Sequence, residues 1–363
     1  MKIGFVAEPY EETNASGMGY VVIEYLQHLF KNPRGNEFVV YSSKEVTKEA
    51  VPGVYEQKRV PKDMLGRMRY FWSLRDDIDA LIFNVPLTPI VLPKRIKSIL
   101  ICQEIVPLRL PRSLNKSEIL AFVRDWLLMP WALRRATKII VPSLATKEAL
   151  MQVYHIREEK IVLIYNGFQD LSRFAGEAAP VEANLKPYFF FAGKIKHRKN
   201  VHGIVSAFIQ FKERRKNETK LVLAGDYEGE YFENLKKEIF AHKLEDEVYF
   251  LGYVVDAPLY ALYKEALALV FPSFSEGFGM PIAEAFVAGT PVITATIPST
   301  SEVAGGAGLL VDPFDPEDIS RAMERVYADE ALRRDMIEKG YARAKDFSWD
   351  KAASEVITML QSL

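Results

Sequence analysis

Short apolar and β-branched runs alternate along the chain with longer stretches in which apolar residues recur at helical spacing. Runs of the first kind predict strands, and the helical spacing predicts amphipathic helices. In the first half the predicted strands are Lys2–Ala7, Glu37–Tyr41, Ala80–Val85, Ser98–Glu104, Lys138–Pro142 and Lys160–Tyr165, and the predicted helices are about 18–31, 116–135 and 144–154. This alternation is typical of a parallel sheet covered by helices.

A second series of the same kind follows Phe168–Lys186, a segment rich in Ala, Glu and Pro that we predict to be a linker. Its predicted strands are Tyr188–Ala192, Lys220–Ala224, Val248–Leu251, Ala268–Pro272 and Pro291–Thr294. The sequence therefore predicts the α/β class, with doubly wound, Rossmann-like domains at residues 1–170 and 171–348. Ligands of such sheets bind at the carboxyl ends of the strands, so two facing domains would hold a substrate in the cleft between them.

Composition narrows the class of protein. The chain has 363 residues, 49% of them hydrophobic and 26% charged, which is typical of a globular protein with about two domains. Its single cysteine, Cys102, excludes a disulfide framework and a thiolate metal site, and we expect it to be buried. The histidines show no metal-ligand spacing, so no metal site is expected. The apolar run Ile3 to Ala7 is too short for a signal peptide, and we expect a cytoplasmic protein.

The most informative string follows the predicted strand that ends at Pro272, and it reads Ser275-Glu276-Gly277-Phe278-Gly279-Met280-Pro281-Ile282-Ala283-Glu284. Its glycines permit a tight turn and close ligand approach, and Pro281 suits the first turn of a helix. The helix N-terminus would bind an anion such as a diphosphate. Glu276 and Glu284 would accept hydrogen bonds from sugar and ribose hydroxyls. Such a glutamate pair, taken alone, is also consistent with solvated charges around a helix cap.

This string resembles the signature of glycosyltransferase family 4, in which two glutamates flank a Gly-Phe-Gly-aliphatic-Pro core. The resemblance implies the GT-B fold, with two facing domains and a donor site in the second. It implies that Glu276 contacts the donor hexose and Glu284 the ribose. It further implies that the backbone of Gly277, Phe278, Gly279 and Met280 contacts the sugar and phosphates.

A basic pair extends the resemblance. Phe191-Ala192-Gly193-Lys194 and Arg198-Lys199-Asn200 look like the family's phosphate-binding pair, although the family usually has arginine where this chain has Lys194. Lys194 and Lys199 would stabilise the negative charge that develops on a diphosphate leaving group without a metal. A solvated basic loop is the alternative for these residues taken alone.

Further matches continue over residues 187–348 and look most like the bacterial polysaccharide mannosyltransferase branch, whose usual donor is GDP-mannose. They are Leu223-Ala224-Gly225-Asp226, Phe250-Leu251-Gly252-Tyr253, Ala288-Gly289-Thr290-Pro291, Glu302-Val303-Ala304-Gly305 and Leu310-Val311-Asp312-Pro313.

In the first half, Gly17 and Gly19 resemble the glycine loop by which the family's N-terminal domain approaches the donor phosphates and the acceptor. Val22 stands where a dinucleotide-binding fingerprint requires a third glycine, which disfavours a nicotinamide enzyme. Gln103 and Glu104 occupy the place where relatives usually carry His-Asp, and we assign them to the acceptor side. Glu104 is consistent with orienting an acceptor hydroxyl and equally with a structural hydrogen bond.

The resemblance thus implies a retaining, metal-independent hexosyltransferase that needs no cofactor beyond its nucleotide-sugar donor, GDP-mannose being favoured. A glycan or a lipid-linked molecule would be the acceptor, and no nucleic-acid partner is expected. The final helix, residues 349–363, is implied to cross back to the first domain. A sugar-nucleotide epimerase of similar architecture and a non-catalytic sugar-nucleotide-binding protein are the alternatives, and Glu276, Glu284 and Lys199 argue against the second.

Basic and aromatic residues concentrate in the first domain. Residues 58–138 hold 16 Lys and Arg against 7 Asp and Glu, together with Trp72, Trp126 and Trp131. The stretch 119–133, which includes Phe122, is amphipathic in pattern, and basic amphipathic helices bind anionic lipid surfaces. We therefore hypothesise peripheral attachment to the inner face of a membrane. The alternative is that these aromatic side chains pack the domain core.

Overall fold

The computed structural model describes residues 1–8, 17–84, 92–105 and 129–363. The chain divides into two compact units. The first unit comprises Met1–Gly167 and Ser348–Leu363, and the second unit comprises Phe168–Phe347. Each unit is built on a parallel sheet with helices packed against it, which confirms the predicted α/β class.

The described strands of the first unit form a seven-stranded sheet in the order β3-β2-β1-β4-β5-β6-β7. Its strands are β1 (Lys2–Val6), β2 (Glu37–Ser42), β3 (Glu56–Arg59), β4 (Ala80–Asn84), β5 (Lys97–Ile101), β6 (Lys138–Val141) and β7 (Ile161–Leu163). The helices described from end to end are α1 (Met18–Lys31), α2 (Met64–Trp72) and α3 (Leu144–Tyr154). Residues 129–135 are also helical. Cys102, directly after β5, is fully buried as expected.

Two elements of the first unit were not predicted. Strand β3 has the sequence Glu-Gln-Lys-Arg and lies at the edge of the sheet, so it lacks the apolar alternation by which a half-buried strand is recognised. Helix α2 begins at an N-cap, Asp63, whose carboxylate accepts a hydrogen bond from the Gly66 amide. Most of the predicted helix at 116–135, and Val85 at the end of a predicted strand, lie outside the described residues.

The described strands of the second unit form a six-stranded sheet in the order β10-β9-β8-β11-β12-β13. Its strands are β8 (Tyr188–Ala192), β9 (Lys220–Ala224), β10 (Val248–Gly252), β11 (Ala268–Phe271), β12 (Val292–Ala295) and β13 (Leu309–Val311). Its helices are α4 (Val201–Arg214), α5 (Gly229–Ala241), α6 (Asp256–Lys264), α7 (Met280–Ala288), α8 (Pro298–Ala304), α9 (Pro316–Ala328) and α10 (Glu330–Ala344). The three-residue edge strand β13 was not predicted.

The segment predicted as a linker contains two short 3₁₀ turns, Leu171–Phe174 and Ala183–Leu185. Leu171 is fully buried, and the first turn packs against α6 and α7 of the second unit. This segment is therefore a packed part of the second unit and not a free linker.

The C-terminal helix, α11 (Trp349–Gln361), belongs to the first unit and packs against α1, as the resemblance implied. Trp349 is 4% exposed, and its ring lies edge-on to Tyr25 with 5.2 Å between the ring centroids. His28 of α1 lies 2.8 Å from the Asp350 carboxylate, and Lys31 lies 3.2 Å from it. The pKa of His28 is raised by hydrogen bonds to Glu24 and Asp350, which outweigh its burial. Apolar contacts and ion pairs together hold the helix on the first unit.

Gly167 fits closely beneath α11. A Cβ atom added at Gly167 would lie 2.4 Å from the backbone nitrogen of Trp349, whereas one added at Gly176 would meet no heavy atom within 4 Å. We expect Gly167→Ala to destabilise the first unit by about 1–3 kcal/mol, the usual cost of overpacking. Calorimetry should show a lowered transition temperature for Gly167→Ala and an unchanged or slightly raised one for Gly176→Ala. Equal melting of both variants and wild type would contradict this contact.

Candidate active site

The loop after β11 and the start of α7 form the centre of the candidate site. Gly279 caps α7 with a φ of 102°, a conformation that L side chains rarely adopt, and no side chain caps the helix by a hydrogen bond. Phe278 is buried, with its ring edge-on to Phe347 at 5.2 Å. The first turn of α7 contains no acidic residue. The predicted turn and helix start, from Gly277 to Met280, thus combine a glycine turn with a helix N-terminus suited to an anion.

Glu276 and Lys199 form a close ion pair at this loop. The Nζ of Lys199 donates to the Oε1 of Glu276 at 2.6 Å, and the two side chains are 13% and 8% exposed, respectively. The same ammonium lies 4.8 Å from the centroid of the Phe271 ring, over its face. Two sequence-predicted residues that are 77 positions apart are therefore in direct contact.

Glu284 lies on α7, and its hydrogen-bond partner was not predicted from the sequence. The hydroxyl of Tyr263, on α6, donates to the Oε2 of Glu284 at 2.9 Å. Burial raises the pKa of Glu284 to about 7, against the opposing effects of the Tyr263 hydrogen bond and the Lys199 charge. No sequence pattern pointed to Tyr263, because α6 carries no motif that marks a ligand-binding helix. The carboxyl group is therefore poised to gain or lose a proton near neutral pH.

Asn200 joins the loops that carry these groups. This residue is 3% exposed and adopts a left-handed conformation with a φ of 56°. Its Nδ2 donates to the carbonyl oxygens of Pro272 at 3.0 Å and Pro313 at 2.7 Å, and its Oδ1 accepts from the Gly203 amide. The loops after β8, β11 and β13 are thus fastened to one side chain. The sequence placed Asn200 beside Lys199, but it gave no sign of this role.

Lys194 has different surroundings from Lys199. Its side chain is 50% exposed, and its Nζ lies 3.4 Å from Glu228, whose side chain is 82% exposed. The backbone before it is closely packed, because a Cβ atom added at Gly225 would lie 2.0 Å from the carbonyl oxygen of Gly193. Exposed ion pairs contribute little to stability. Lys194 is therefore a half-exposed charge with a weak ion-pair partner, whereas Lys199 is largely buried in a close ion pair with Glu276.

The remaining predicted site residues lie in the first unit. Gly17 caps α1 with a φ of 58°, and Gly19 is buried in its first turn. Gln103 is largely buried and forms a reciprocal amide pair with Asn166, in which the Nδ2 of Asn166 donates to the Oε1 of Gln103 at 2.7 Å. Glu104 is partly buried after β5. Gln103 therefore has a structural partner, which the sequence had not identified.

Within residues 1–8, 17–84, 92–105 and 129–363, no group of three or more His, Cys, Asp and Glu side chains is arranged to hold a metal ion. None of the described helices is long and apolar enough to cross a membrane. Trp72 is 68% exposed, and Trp131 is partly buried with the Arg135 guanidinium 4.7 Å from its ring centroid. Phe122 and Trp126, which the membrane hypothesis also uses, lie outside the described residues.

Two parallel α/β units are the architecture of GT-B glycosyltransferases, and solved structures share it over the whole chain. Sucrose-phosphate synthase from Thermosynechococcus elongatus has a TM-score of 0.78 at 18% identity, with 99% of this chain and 98% of that chain covered. Anabaena HepE, solved in complex with UDP and glucose, has a TM-score of 0.75 at 19% identity, with both chains fully covered. The protein therefore has the GT-B fold.

Family models define the class further. The model of glycosyl transferases group 1 matches residues 177–343, and that of Glycosyltransferase Family 4 matches residues 15–170. The chain belongs to glycosyltransferase family 4, as its motifs indicated.

Several of the relatives are bacterial mannosyltransferases. O-antigen chain mannosyltransferase B of Escherichia coli is 29% identical over 83% of this chain and 79% of its own length. O-antigen chain mannosyltransferase RfbU of Salmonella typhimurium is 30% identical over 55% of this chain and 53% of its own length. The serotype-specific mannosyltransferase WbdA of Escherichia coli is 26% identical, and the match spans 32% of its length.

Proposed function

We propose that this glycosyltransferase moves a hexose, with mannose favoured, from a nucleotide diphosphate sugar to a glycan or lipid-linked acceptor in surface-polysaccharide synthesis. The observation that carries the proposal is the Lys199–Glu276 pair beside the glycine turn that caps α7. A cation, a helix N-terminus and two carboxylates suit a diphosphate with a sugar on one side and a ribose on the other. The O-antigen mannosyltransferase relatives support mannose as the sugar. The choice of GDP-mannose as the donor rests on the resemblance to the polysaccharide mannosyltransferase branch.

Charge stabilisation is the main catalytic contribution in this proposal. As the bond between the sugar and the phosphate oxygen breaks, negative charge grows on the departing diphosphate. After the ion pair with Glu276 breaks, Lys199 and the amides at the start of α7 would stabilise that negative charge. The half-exposed Lys194 would contribute a second positive charge. Glu276 would then be available to accept hydrogen bonds from the hexose hydroxyls. We propose a metal-independent, retaining reaction in which the acceptor hydroxyl attacks from the face that the diphosphate leaves and passes its proton to the departing phosphate oxygen.

The acceptor side is assigned to the first unit, through Gly17, Gly19, Gln103 and Glu104. Contact of this unit with an anionic membrane surface on the cytoplasmic side stays a prediction, and sedimentation with anionic vesicles at low salt tests it. An epimerase or a non-catalytic sugar-nucleotide-binding protein would be distinguished by product analysis. The three outcomes are a glycosylated acceptor, an epimerised donor, and binding without conversion.

A thermal-shift panel of GDP, UDP and ADP sugars tests the donor assignment. We expect GDP-mannose to stabilise the second unit more than UDP-glucose or UDP-N-acetylglucosamine, since a ligand at 100 times its Kd adds about 2.7 kcal/mol. EDTA should change neither this shift nor turnover, because two lysines replace the metal. A preference for UDP sugars would refute the donor, and turnover that EDTA abolishes and magnesium restores would refute metal independence.

Donor affinity should increase as the pH rises through 7. The raised pKa of Glu284, about 7, leaves the carboxyl largely protonated at pH 6, whereas hydrogen bonds from ribose hydroxyls favour the carboxylate. Without donor, the raised pKa of Glu284 also affects folding. The protonated carboxyl stabilises the folded state fully at pH values below 4.5, the ordinary pKa of glutamate, and this stabilisation is lost as the pH rises through about 7. Calorimetric titration should therefore give a Kd about tenfold lower at pH 8 than at pH 6.

The matched control is Glu284→Gln, which should bind donor with a Kd that is flat over this range. Intact GDP-mannose is the ligand of choice. The terminal phosphate of free GDP, like a phosphate monoester, titrates at about pH 6 and would add its own pH dependence to the measured Kd. The same slope in wild type and Glu284→Gln would assign the titration to another group.

A further inference from the structure

Three aromatic rings form a continuous stack beside the candidate active site. His197 follows β8, Phe274 follows β11 and Phe314 follows β13. The rings of Phe274 and Phe314 are stacked, with centroids 4.8 Å apart and planes inclined by 23°. The His197 ring lies 5.4 Å from that of Phe274, inclined by 35°. Three separate loops of the second unit therefore contribute to one aromatic surface.

This stack is fixed to the groups proposed to act on the donor. Phe274 is two residues before Glu276, and His197 is two residues before Lys199. The amide of Phe274 donates to the carbonyl oxygen of Arg198 at 3.0 Å, which joins the two loops directly. Asn200 holds the third loop through the carbonyl oxygen of Pro313. The aromatic surface and the Lys199–Glu276 pair therefore belong to one set of fastened loops.

Phe314 is exposed although its loop is well ordered by hydrogen bonds. Its side chain is 73% exposed, and its amide donates to the Oδ1 of Asp312 at 2.9 Å. This ring therefore forgoes most of the favourable free energy that burial of a phenylalanine side chain provides. Because Phe314 is both exposed and stacked on Phe274, it offers the free face of a fixed aromatic stack to a ligand.

We propose that the stack of His197, Phe274 and Phe314 ends in a platform, the outer face of the exposed Phe314 ring, that binds a hexose ring of an oligosaccharide acceptor. The apolar face of a hexose carries C–H groups, which the negative face of an aromatic ring attracts, while the hydroxyls at the rim stay hydrated. The inference rests on the proposed function, which it deepens by adding to the second unit a subsite for the glycan acceptor.

The order of groups along the loop favours the acceptor over the donor base. The chain runs from Phe274 to Glu276, which is proposed to contact the donor hexose, and then to Gly279 at the N-terminus proposed to bind the diphosphate. The base lies beyond the diphosphate in the donor. Because Phe274 is nearer along the loop to the residue proposed to contact the hexose than to this N-terminus, we assign the stack to the hexose side of the donor, where the acceptor sugar must approach.

The test compares Phe314→Ala, Phe314→Tyr and Phe240→Ala with wild type. Phe240, on α5, is 69% exposed and serves as a matched exposed aromatic away from the stack. Saturation-transfer NMR titrations would use linear tetrasaccharides of mannose, glucose and galactose in the presence of GDP-mannose. We expect wild type, Phe314→Tyr and Phe240→Ala to bind at least one tetrasaccharide, and Phe314→Ala to bind it about fivefold more weakly.

Thermal shifts with GDP-mannose, measured on the same four proteins, separate this inference from the proposed function. Equal donor shifts with weakened tetrasaccharide binding in Phe314→Ala support the platform. Equal tetrasaccharide binding by Phe314→Ala and wild type, or no tetrasaccharide binding by wild type, overturns the platform while a donor shift leaves the proposed function standing. Loss of the donor shift in Phe314→Ala assigns the stack to the donor base and overturns the inference. No shift with any nucleotide sugar would refute the proposed function itself.

Discussion

Lys199→Met should lower kcat by about 10²–10³-fold, the usual effect of removing one preorganised group that stabilises transition-state charge. Lys199 is 13% exposed, and its Nζ lies 2.6 Å from the Oε1 of Glu276, so its ammonium is held in place beside the glycine turn. Methionine has a side chain of similar length without the ammonium, so it removes both the ion pair with Glu276 and the cation–π contact with Phe271. The variant also leaves Glu276 without its counter-charge in a poorly solvated place, so a lowered melting temperature should accompany the kinetic loss.

Lys194→Met is the matched control for this variant. Its ammonium is half exposed and pairs at 3.4 Å with an exposed glutamate, so its removal should cost less than about tenfold in kcat. Steady-state kinetics with GDP-mannose, together with melting curves for both variants, provide the comparison. Near-normal turnover by Lys199→Met, or equal losses in the two variants, would show that groups other than Lys199 stabilise the negative charge on the leaving diphosphate.

Glu276→Ala and Glu284→Gln should separate turnover from donor binding. Glu276 is proposed to contact the transferred hexose, so its loss should lower kcat by tenfold or more while the donor Kd changes little. Glu284 is proposed to accept from the ribose, so Glu284→Gln should raise the donor Kd by a similar factor. A hydrogen bond to a charged group is worth about 1.5–3 kcal/mol, which corresponds to about tenfold or more.

Calorimetric Kd values and single-turnover rates distinguish the two effects more securely than KM does. Tyr263→Phe offers a second check, because it removes the hydroxyl that donates to Glu284 and keeps the ring. It should weaken donor binding less than Glu284→Gln does. If both glutamate variants lose kcat and affinity in the same proportion, the assignment of separate roles is wrong.

The parts of the site that are local in sequence could be predicted, because their chemistry is contained in a short string. A glycine turn, a proline in the first helical turn and two flanking carboxylates specify the loop from Glu276 to Glu284 without knowledge of the fold. Most strands were found for a similar reason, since buried parallel strands are short apolar runs. Strand β3 was missed because its sequence, Glu-Gln-Lys-Arg, is polar throughout, and β13 was missed because three apolar residues are too short a run to predict a strand.

The partners of the site residues could not be predicted, because they depend on how distant elements pack. The Tyr263 hydroxyl reaches Glu284 from another helix, and Asn200 bonds to carbonyl oxygens that are 72 and 113 positions away. Lys194 and Lys199 were equivalent in sequence, and only their surroundings distinguish a half-exposed charge from a largely buried one. The amide pair of Gln103 and Asn166 likewise joins residues 63 positions apart.

The bonds of Asn200 have a consequence for attempts to redesign this enzyme. Because one amide group holds the loops after β8, β11 and β13 in register, exchanging any single loop with that of another glycosyltransferase would leave the other two without their common support. Chimeras that seek a new sugar specificity should therefore transplant the three loops and the asparagine as one module. Directed-evolution libraries that keep Asn200 and randomise the exposed neighbours should retain a higher fraction of folded, active clones than libraries that vary it.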